Sequence, residues 1–159
     1  RSGYGMHVSN GILYNHESPR RGENFVTQKI VRGAASIAKG KSEFLELGNL
    51  DIERDWGYAP DYVLGMWMML QQDSPGDYVC ATGISHTVLD LVEYTFSKLD
   101  LDWKAHVTQD PKFLRPEELD HLKGDPGKLK AETGWDPDYT FETMLDEMIE
   151  YWLSYYSGK

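Results

Sequence analysis

Five basic residues lie where predicted strands and helices meet, and four of them stand beside residues that favour turns. They are Arg20, Arg21, Lys29, Arg54 and Arg115. A guanidinium binds phosphate through two parallel hydrogen bonds, and an ammonium adds a point charge. Because ligands bind where the ends of parallel strands converge, these side chains together would suit a pyrophosphate group. The alternative for each one alone is a solvated side chain or a surface ion pair, which contributes little to stability.

The stretch between the first predicted strand and the first predicted helix concentrates polar groups. It reads NHESPRRGENF over residues 15–25. His16 stands directly after the strand, where it could serve a site, although a loop histidine is more often a structural hydrogen-bond partner. Glu17 is predicted to be a local partner for Arg20 or Arg21. A surface loop rarely needs so many functional groups, so the stretch favours a ligand site.

Two further motifs combine a guanidinium with a carboxylate. RDWG (54–57) places an Arg–Asp pair and a tryptophan at a helix entrance, and its alternative is a helix cap with a packed ring. RPEELD (115–120) sets Arg115 and Glu118 on one face of a helix predicted to begin at Pro116. That pair could be an intrahelical ion pair worth only about 0.2–0.5 kcal/mol. The same two groups can also bind a guanine edge and a neighbouring phosphate or ribose.

The motifs give no catalytic apparatus. We find no serine or cysteine nucleophile with a histidine partner and no carboxylate pair of definite geometry. The glycine-rich loops GxGxxG and GxxxxGK[ST] that cradle phosphates are absent from the sequence. No Tyr-x-x-x-Lys pair is predicted to serve as acid and base, since Tyr155 and Lys159 have that spacing only at the end of the chain. The motifs therefore indicate a ligand-binding half of an enzyme.

Composition limits the possible partners. The 159 residues carry a formal net charge of −10, and 40% of them are hydrophobic. This acidic, globular composition argues against nucleic acid and membrane surfaces as partners, because both attract a basic face. The single Cys80 excludes an internal disulfide framework, fits the cytoplasm and is predicted to be buried. No apolar run approaches about 18 residues, the length that a membrane-spanning helix needs. Neither the cysteine and histidine spacing of a zinc site nor an EF-hand loop occurs.

The predicted elements alternate between strand and helix, which indicates an α/β fold with parallel pairing. Strands are predicted at 5–15, 42–49 and 76–83. Helices are predicted at 24–41, 61–72, 85–99 and 140–156. The second of these helices is apolar almost all round and is predicted to be buried. The strands are too few for a complete doubly wound sheet, so the chain is predicted to be the back part of a larger protein.

Several local features complete this prediction. Residues 102–111 are expected to be extended, and 115–135 to hold two short helical stretches. The last helix is expected to turn its acidic residues toward solvent and its aromatic residues toward a core or an interface. The predicted helix caps are Asn24, Ser85 or Thr87, and Thr140.

Four stretches of the chain resemble one enzyme family. They are NGILYNHESPRRGENFVTQKI, LGNLDIERDWGYAPDYVLGMWMMLQQ, DYVCATG with HTV, and RPEELDHLKGDPGKLKAETGW. Together they are similar to the C-terminal half of the GDP-mannose 4,6-dehydratases, which are extended short-chain dehydrogenases/reductases. The resemblance covers nearly the whole chain. NHESPRRG and GNLDxxRDWG are the strings most specific to this family.

The resemblance implies a fold and a reaction. Residues 1–159 would form a C-terminal substrate-binding domain with remaining Rossmann elements, and roughly 1–14, 24–41 and 50–83 would contribute to the interface between the two. The family oxidises C4 of GDP-mannose with NADP, eliminates water across C5–C6 and returns the hydride to C6. Its catalytic Thr, Glu, Tyr and Lys lie in an N-terminal half, which would be a partner of this chain. The fragment alone is expected to be inactive.

The resemblance also implies site residues. His16 would contact the nicotinamide end of NADP, and Arg21 an NADP phosphate. The Arg20–Arg21 loop would reach across the interface of a dimer or tetramer toward the neighbour's cofactor. Six residues would bind GDP-mannose: Asn15, Val26 (through its backbone) and Lys29 at the pyrophosphate and sugar, Arg54 and Arg115 at the phosphates, and Glu118 at the guanine or ribose.

The chain departs from the family pattern at three positions. Tyr58 stands where histidine is expected, Gln28 where arginine is expected, and Leu114 where tyrosine is frequent. Two alternatives stay open. One is another extended short-chain enzyme of nucleotide sugars, such as a GDP-hexose reductase or epimerase. The other is a non-catalytic nucleotide-binding fragment or module.

Overall fold

A computed structural model describes residues 1–113, 117 and 119–158 of the chain. Its strands are β1 Asn10–Leu13, β2 Asn15–Glu17, β3 Leu45–Leu47, β4 Glu53–Arg54, β5 Trp56–Tyr58, β6 Asp77–Cys80, β7 His86–Thr87, β8 Val107–Gln109 and β9 His121–Leu122. Its α-helices are α1 Val26–Ala38, α2 Ala59–Leu70, α3 Val88–Lys98, α4 Trp103–His106, α5 Gly127–Thr133 and α6 Phe141–Ser157, and Pro111–Phe113 forms a 3-10 turn.

The strands pair mainly in parallel, as predicted. Parallel pairs join β1 to β6, β2 to β5, and β3 to β8. The short strand β4 lies between β9, which is parallel to it, and β7, which is antiparallel. Between β6 and β7 the chain passes through Gly83, which takes a left-handed φ of 83°. The α/β fold class is therefore confirmed, with one antiparallel pair added.

The larger hydrophobic core lies between α1, α3 and α6. Ile30 and Val31 of α1, Leu91 of α3, and Leu145 and Met148 of α6 are fully buried there. These residues recur at helical spacing along each helix, so each helix presents one apolar stripe to the other two. The core places the N-terminal ends of α1 and α3 beside the ends of β3 and β4.

A smaller core lies between α2, β6 and α5. It contains Tyr62 and Met69 of α2, Tyr78 and Cys80 of β6, Leu129 of α5, and Trp135. Cys80 is buried as predicted, and burial together with the nearby Asp55 and Asp61 raises the pKa of its thiol to about 12. The thiol is therefore an inert packing group at neutral pH.

The prediction that α2 is buried almost all round is wrong. Its residues on one side are 39–61% exposed: Val63, Leu64, Met66, Trp67 and Leu70. Only the side carrying Tyr62 and Met69 packs against the smaller core. The composition of the helix is apolar on every side, but composition cannot say which neighbours are present to cover each side.

Two of the predicted helix caps are confirmed and one is wrong. Thr87 caps α3 in a reciprocal capping box with Asp90, and Thr140 caps α6 in one with Thr143. Asn24 does not cap α1, because the helix begins one residue later, after Phe25. The backbone N–H of Phe25 donates to Gly22 O at 3.1 Å, and this turn sets the later start.

Two further expectations need correction, and a third needs a detail added. Residues 102–111 are not continuously extended, since α4 precedes the short strand β8. The first predicted helical stretch of 115–135 falls partly outside the described residues and ends in the strand β9, whereas α5 confirms the second stretch. The acidic residues of α6 do face solvent, but two that are only partly exposed also bind phenols: Tyr94 donates to Asp146 and Tyr58 to Glu147, at 2.8 and 2.6 Å.

No helix among the described residues is long and apolar enough to cross a membrane.

Candidate functional site

A cavity of about 460 Å³ opens between the starts of α1 and α3 and the ends of β3 and β4. The chain reaches it from five separate segments, which is typical of a ligand site beside parallel strands. Its lining residues are Asn15, Asn24, Phe25, Val26, Lys29, Leu47, Gly48, Asn49, Ile52, Arg54, Val88 and Phe113.

Four of the six residues predicted to bind substrate line this one cavity: Asn15, Val26, Lys29 and Arg54. The other two, Arg115 and Glu118, lie outside the described residues. Among the described lining residues there are two cations and no carboxylate. The cavity is therefore a local basic site in a chain of net charge −10, and an anionic ligand matches it.

Sequence analysis missed several lining residues. Asn24 was assigned to a helix cap, and Asn49 to the turn that ends a strand. Phe25 and Val88 fell within predicted helices, and Ile52 fell within no predicted element. Only the Gly-Asn pair that ends the predicted strand 42–49 gave a usable signal, because the end of a parallel strand lies at the edge where ligands bind. Apolar lining residues carry no signature of their own in one sequence.

The N-terminal end of α1 supplies backbone donors to the cavity. Val26 is the first residue of this 13-residue helix, and among the described residues no side chain caps it. The first N–H groups of an uncapped helix are ready donors, and the helix dipole adds partial positive charge. The start of α3 also reaches the cavity at Val88, but Thr87 and Asp90 already cap it. Of these two helix ends, α1 is the one that suits a phosphate.

Lys29 extends from α1 into the same cavity. Its Nζ lies 3.6 Å from the centroid of the Phe113 ring, a cation–π distance. Burial, with a smaller contribution from Lys112, lowers the pKa of Lys29, while Glu46 acts in the opposite direction. An anion in the cavity would offset this loss of hydration, so the ammonium is suited to bind one.

Arg54 connects two walls of the cavity. Its Nη1 donates to the carbonyl oxygens of Glu53 and Leu119, both at 2.7 Å. Leu119 precedes β9, which pairs with β4, the strand that carries Arg54. The guanidinium is thereby held at the cavity by the backbone on both sides of it.

His16 lies outside the cavity, on the strand β2 that begins with Asn15. Successive residues of a strand point to opposite faces, so the two side chains serve different surroundings. The His16 ring stacks on Tyr62 with centroids 5.2 Å apart, and its Nδ1 lies 2.8 Å from Tyr14 O. A close approach at Gly57 makes room for this stack, because a Cβ there would lie 2.3 Å from the Tyr62 ring.

Arg21 is held by the two ends of its own loop. Its Nε lies 3.2 Å from Glu17 Oε2, and its guanidinium lies 3.4 Å from the centroid of the Phe25 ring. Glu17 also accepts a hydrogen bond from Thr27. The predicted partnership of Glu17 is therefore confirmed for Arg21, whereas Arg20 is exposed.

A Tyr-x-x-x-Lys pair that sequence analysis passed over lies on α3. Tyr94 and Lys98 have this spacing, but both bind Asp146 of α6, at 2.8 and 3.0 Å. Neither lines the 460 Å³ cavity. Burial and the bond to Asp146 raise the pKa of Tyr94, which is the wrong direction for a catalytic base. This pair is structural.

Solved structures first show the class of fold. The chain superposes on RMD from Pseudomonas aeruginosa, solved as an NADPH complex, with a TM-score of 0.86 and 22% identity, over 96% of this chain and 50% of that one. The chain also superposes on a UDP-N-acetylglucosamine 4-epimerase from Methanobrevibacter ruminantium, with a TM-score of 0.81 and 24% identity, over 97% of this chain and 48% of that one. These likenesses show the predicted fold, the C-terminal part of an extended short-chain dehydrogenase/reductase of Rossmann type.

Sequence similarity then gives the family. The model of the family described as GDP-mannose 4,6 dehydratase matches residues 1–148. GDP-mannose 4,6 dehydratase 1 of Arabidopsis thaliana is 51% identical over 150 residues, which cover 94% of this chain and 42% of the relative. The chain belongs to the GDP-mannose 4,6-dehydratase family. It spans about half the length, or less, of the curated relatives it matches, in their C-terminal part.

Proposed function

We propose that this chain is the GDP-sugar-binding part of a GDP-mannose 4,6-dehydratase. The intact enzyme would convert GDP-mannose to GDP-4-keto-6-deoxymannose by oxidising C4, eliminating water across C5–C6 and returning the hydride to C6. The observation that carries the proposal is the meeting of Asn15, Val26, Lys29 and Arg54 in one cavity. The family match supplies the identity of the nucleotide sugar.

In this proposal the described residues bind and orient the substrate. The uncapped start of α1 at Val26 and the ammonium of Lys29 bind the pyrophosphate. Arg54 binds it from the opposite wall, where the carbonyl of Leu119 fixes the guanidinium. Asn15 supplies an amide to the sugar. Arg115 and Glu118 are proposed for the phosphate and for the guanine or ribose, and both lie outside the described residues.

NADP is the proposed cofactor. When bound, it would accept the hydride from C4 and return it to C6. RMD, whose fold this chain shares, is an NADPH complex. The donor set on the far side of β2 fits an anionic dinucleotide. The Arg21 guanidinium lies over the Phe25 ring, and the contact of His16 Nδ1 with Tyr14 O orients the imidazole. In the proposal Arg21 binds a phosphate and His16 contacts the nicotinamide end.

An N-terminal nucleotide-binding half is the proposed partner of the exposed side of α2. Met66, Trp67 and Leu70 are apolar and exposed there. Among the described residues β1 pairs with β6 alone, and Ile12 of β1 is exposed as well. A parallel strand with a free edge invites a further strand. These features support the proposed Rossmann contribution of residues 1–14 and 50–83, and the position of α1 at the cavity supports that of 24–41.

Two further parts of the proposal concern the setting of the enzyme. Residues Arg20 and Arg21 are proposed to lie at the interface of a dimer or tetramer, and the exposure of Arg20 supports this. A cytoplasmic location is proposed from the single buried cysteine. The 159 residues alone are proposed to be inactive, since no catalytic pair was found in the cavity among the described residues.

A GDP titration of the protein expressed from its whole gene tests the binding site. Isothermal titration calorimetry should show micromolar or tighter binding, and Lys29→Met should weaken it at least about tenfold, the usual effect of losing a hydrogen bond to a charged group. Lys39→Met is the matched control, because Lys39 is exposed beyond the end of α1. Equal affinities for both variants would contradict the assignment of the cavity.

A product assay tests the reaction itself. The whole-gene protein, supplied with GDP-mannose and NADP, should form the 4-keto-6-deoxy product, which mass spectrometry detects as a loss of water. GDP binding without this product would retain the binding site and reject the dehydratase.

A further inference from the structure

The carboxylate of Asp55 is the best-connected buried acid in the described part of the chain. Its side chain has no exposed surface. Oδ1 accepts hydrogen bonds from the backbone N–H of Thr82 at 2.9 Å and from its hydroxyl at 2.7 Å. Oδ2 accepts from the backbone N–H of Gly83 at 2.9 Å and of Gly124 at 3.2 Å. All four donors are neutral, so the negative charge is stabilised by oriented dipoles.

These four bonds join three separate segments of the chain. Asp55 stands between β4 and β5, Thr82 and Gly83 follow β6, and Gly124 follows β9. The segments are also packed closely where they meet. A Cβ at Gly124 would lie 2.3 Å from Ala81 Cβ and 3.0 Å from the Tyr14 ring. The three segments therefore have little room to shift relative to one another at this point.

The position of Asp55 determines that of Arg54. Adjacent residues of an extended chain point to opposite sides, so a carboxylate anchored in the interior directs the Arg54 side chain to the cavity. Arg54 in turn donates to Leu119 O at 2.7 Å. The chain from Leu119 runs through β9 to Gly124, which Asp55 holds. One carboxylate thus secures both Arg54 and the backbone that Arg54 binds.

We propose that Asp55 is a positioning residue for nucleotide binding, which acts through Arg54 by locking β4, the end of β6 and the segment after β9 into one arrangement. This inference rests on the proposed function of the cavity. Asp55 lies outside the lining of the cavity. Its effect on affinity is therefore indirect.

The test is GDP affinity of Asp55→Asn in the protein expressed from its whole gene. Asparagine keeps the size of the side chain, but its amide NH₂ can only donate hydrogen bonds. It would face the N–H donors of Gly83 and Gly124, or that of Thr82, so at least one of these contacts is lost. Calorimetric titration at a temperature where the variant is folded should show GDP binding weakened about tenfold, the loss expected when one hydrogen bond of Arg54 to a charged phosphate is weakened.

Two controls separate positioning from lost stability. Leu129→Ala removes buried volume from the smaller core, away from the cavity. It should lower the Tm at least as much as Asp55→Asn and leave GDP affinity unchanged. In an Arg54→Ala background, Asp55→Asn should change GDP affinity less than about twofold, because residues that act through one another are not additive.

The outcomes are distinct. Wild-type protein that fails to bind GDP rejects the proposed function and this inference with it. If the wild-type protein binds GDP and Asp55→Asn binds it equally well, the inference alone is rejected. It is also rejected if Asp55→Asn weakens GDP binding as much in the Arg54→Ala background as it does in the wild-type protein. If Asp55→Asn does not fold, Thr82→Val decides. It removes one of the four bonds and should weaken GDP binding about threefold, and unchanged affinity of this variant overturns the proposal.

Discussion

The two hydrophobic cores of this chain differ in how completely they are enclosed. Around the larger core, α1, α3 and α6 cover one another, and the buried residues form one continuous set. Around the smaller core, α2 and the β1–β6 pair are covered on one side only. On their other side Met66, Trp67 and Ile12 are exposed. The larger core is enclosed by the helices of this chain, whereas the smaller core leaves an apolar surface exposed to solvent.

This difference matches the proposed division of function. The cavity proposed for the substrate lies beside the larger core, between the starts of α1 and α3. The proposed cofactor residues lie on β2 and its loop, near the smaller core, where His16 stacks on Tyr62. The closed region therefore supports most of the lining of the proposed nucleotide-sugar site. The open region belongs to the proposed junction with a nucleotide-binding half.

Substitution in the larger core gives the largest expected effect. Leu145→Ala should lower the free energy of unfolding by about 4–5 kcal/mol, because the surrounding helices cannot collapse onto the lost volume. Leu129→Ala in the smaller core should cost less, about 2–3 kcal/mol, because that core has a free side that can relax. Urea unfolding measures both. Equal losses would contradict the difference in enclosure.

The open side of α2 gives the next effect. Trp67 is 59% exposed in this chain, and Phe44, beside the larger core, is 57% exposed. In the whole-gene protein Trp67→Ser should lower the free energy of unfolding by about 1.5–3 kcal/mol, the value of burying a large side chain. Phe44→Ser should stay within about 0.5 kcal/mol. If the two variants behave alike, α2 does not face a partner domain.

Removal of the cavity guanidinium should affect binding more than stability. Arg54→Ala should weaken GDP binding by about 1.5–3 kcal/mol, the range for hydrogen bonds to a charged group. Calorimetric titration gives the affinity, and thermal unfolding gives the stability. Arg20→Ala is the control, since Arg20 is exposed and outside the cavity. Affinity unchanged in Arg54→Ala would place the phosphates elsewhere.

The smallest effect concerns the pH dependence of stability at Glu17. Burial raises the pKa of this carboxyl above its ordinary 4.5, although Thr27 and Arg21 act to lower it. Below pH 4.5 both folded and unfolded chains hold the proton. As pH rises from there to the raised pKa, the unfolded chain releases the proton and the folded chain keeps it. The contribution of Glu17 to stability therefore falls over this window.

Glu17→Gln should remove that fall, because the amide stays neutral at every pH. Urea unfolding between about pH 4 and 7 measures the slope of the free energy of unfolding against pH. Glu46→Gln is the control, since Glu46 is exposed and pairs with Lys112 at the surface. Parallel slopes for wild type and Glu17→Gln would show that Glu17 ionises normally.

Local signals predicted much of the fold. The periodicity of α1, α3 and α6 and the caps Thr87 and Thr140 were correct, because these features depend on residues within one turn of each other. The start of α1 was misplaced by one residue at Asn24 because a backbone turn from Gly22 to Phe25 decides it. The exposed side of α2 was missed because exposure depends on distant neighbours.

The RDWG motif shows where sequence stops and tertiary structure begins. The sequence alone establishes that a cation, an acid, a large ring and a glycine follow one another at residues 54–57. Together with the stretches around it, this motif also identified the family. Only the fold assigned them to four surroundings: Arg54 to the cavity, Asp55 to a buried junction, Trp56 to the larger core, and Gly57 to the close approach of Tyr62. The physical reason is that a side chain's type is a local property, whereas its partners come from distant segments of the chain, as Gly124 lies 69 residues from Asp55.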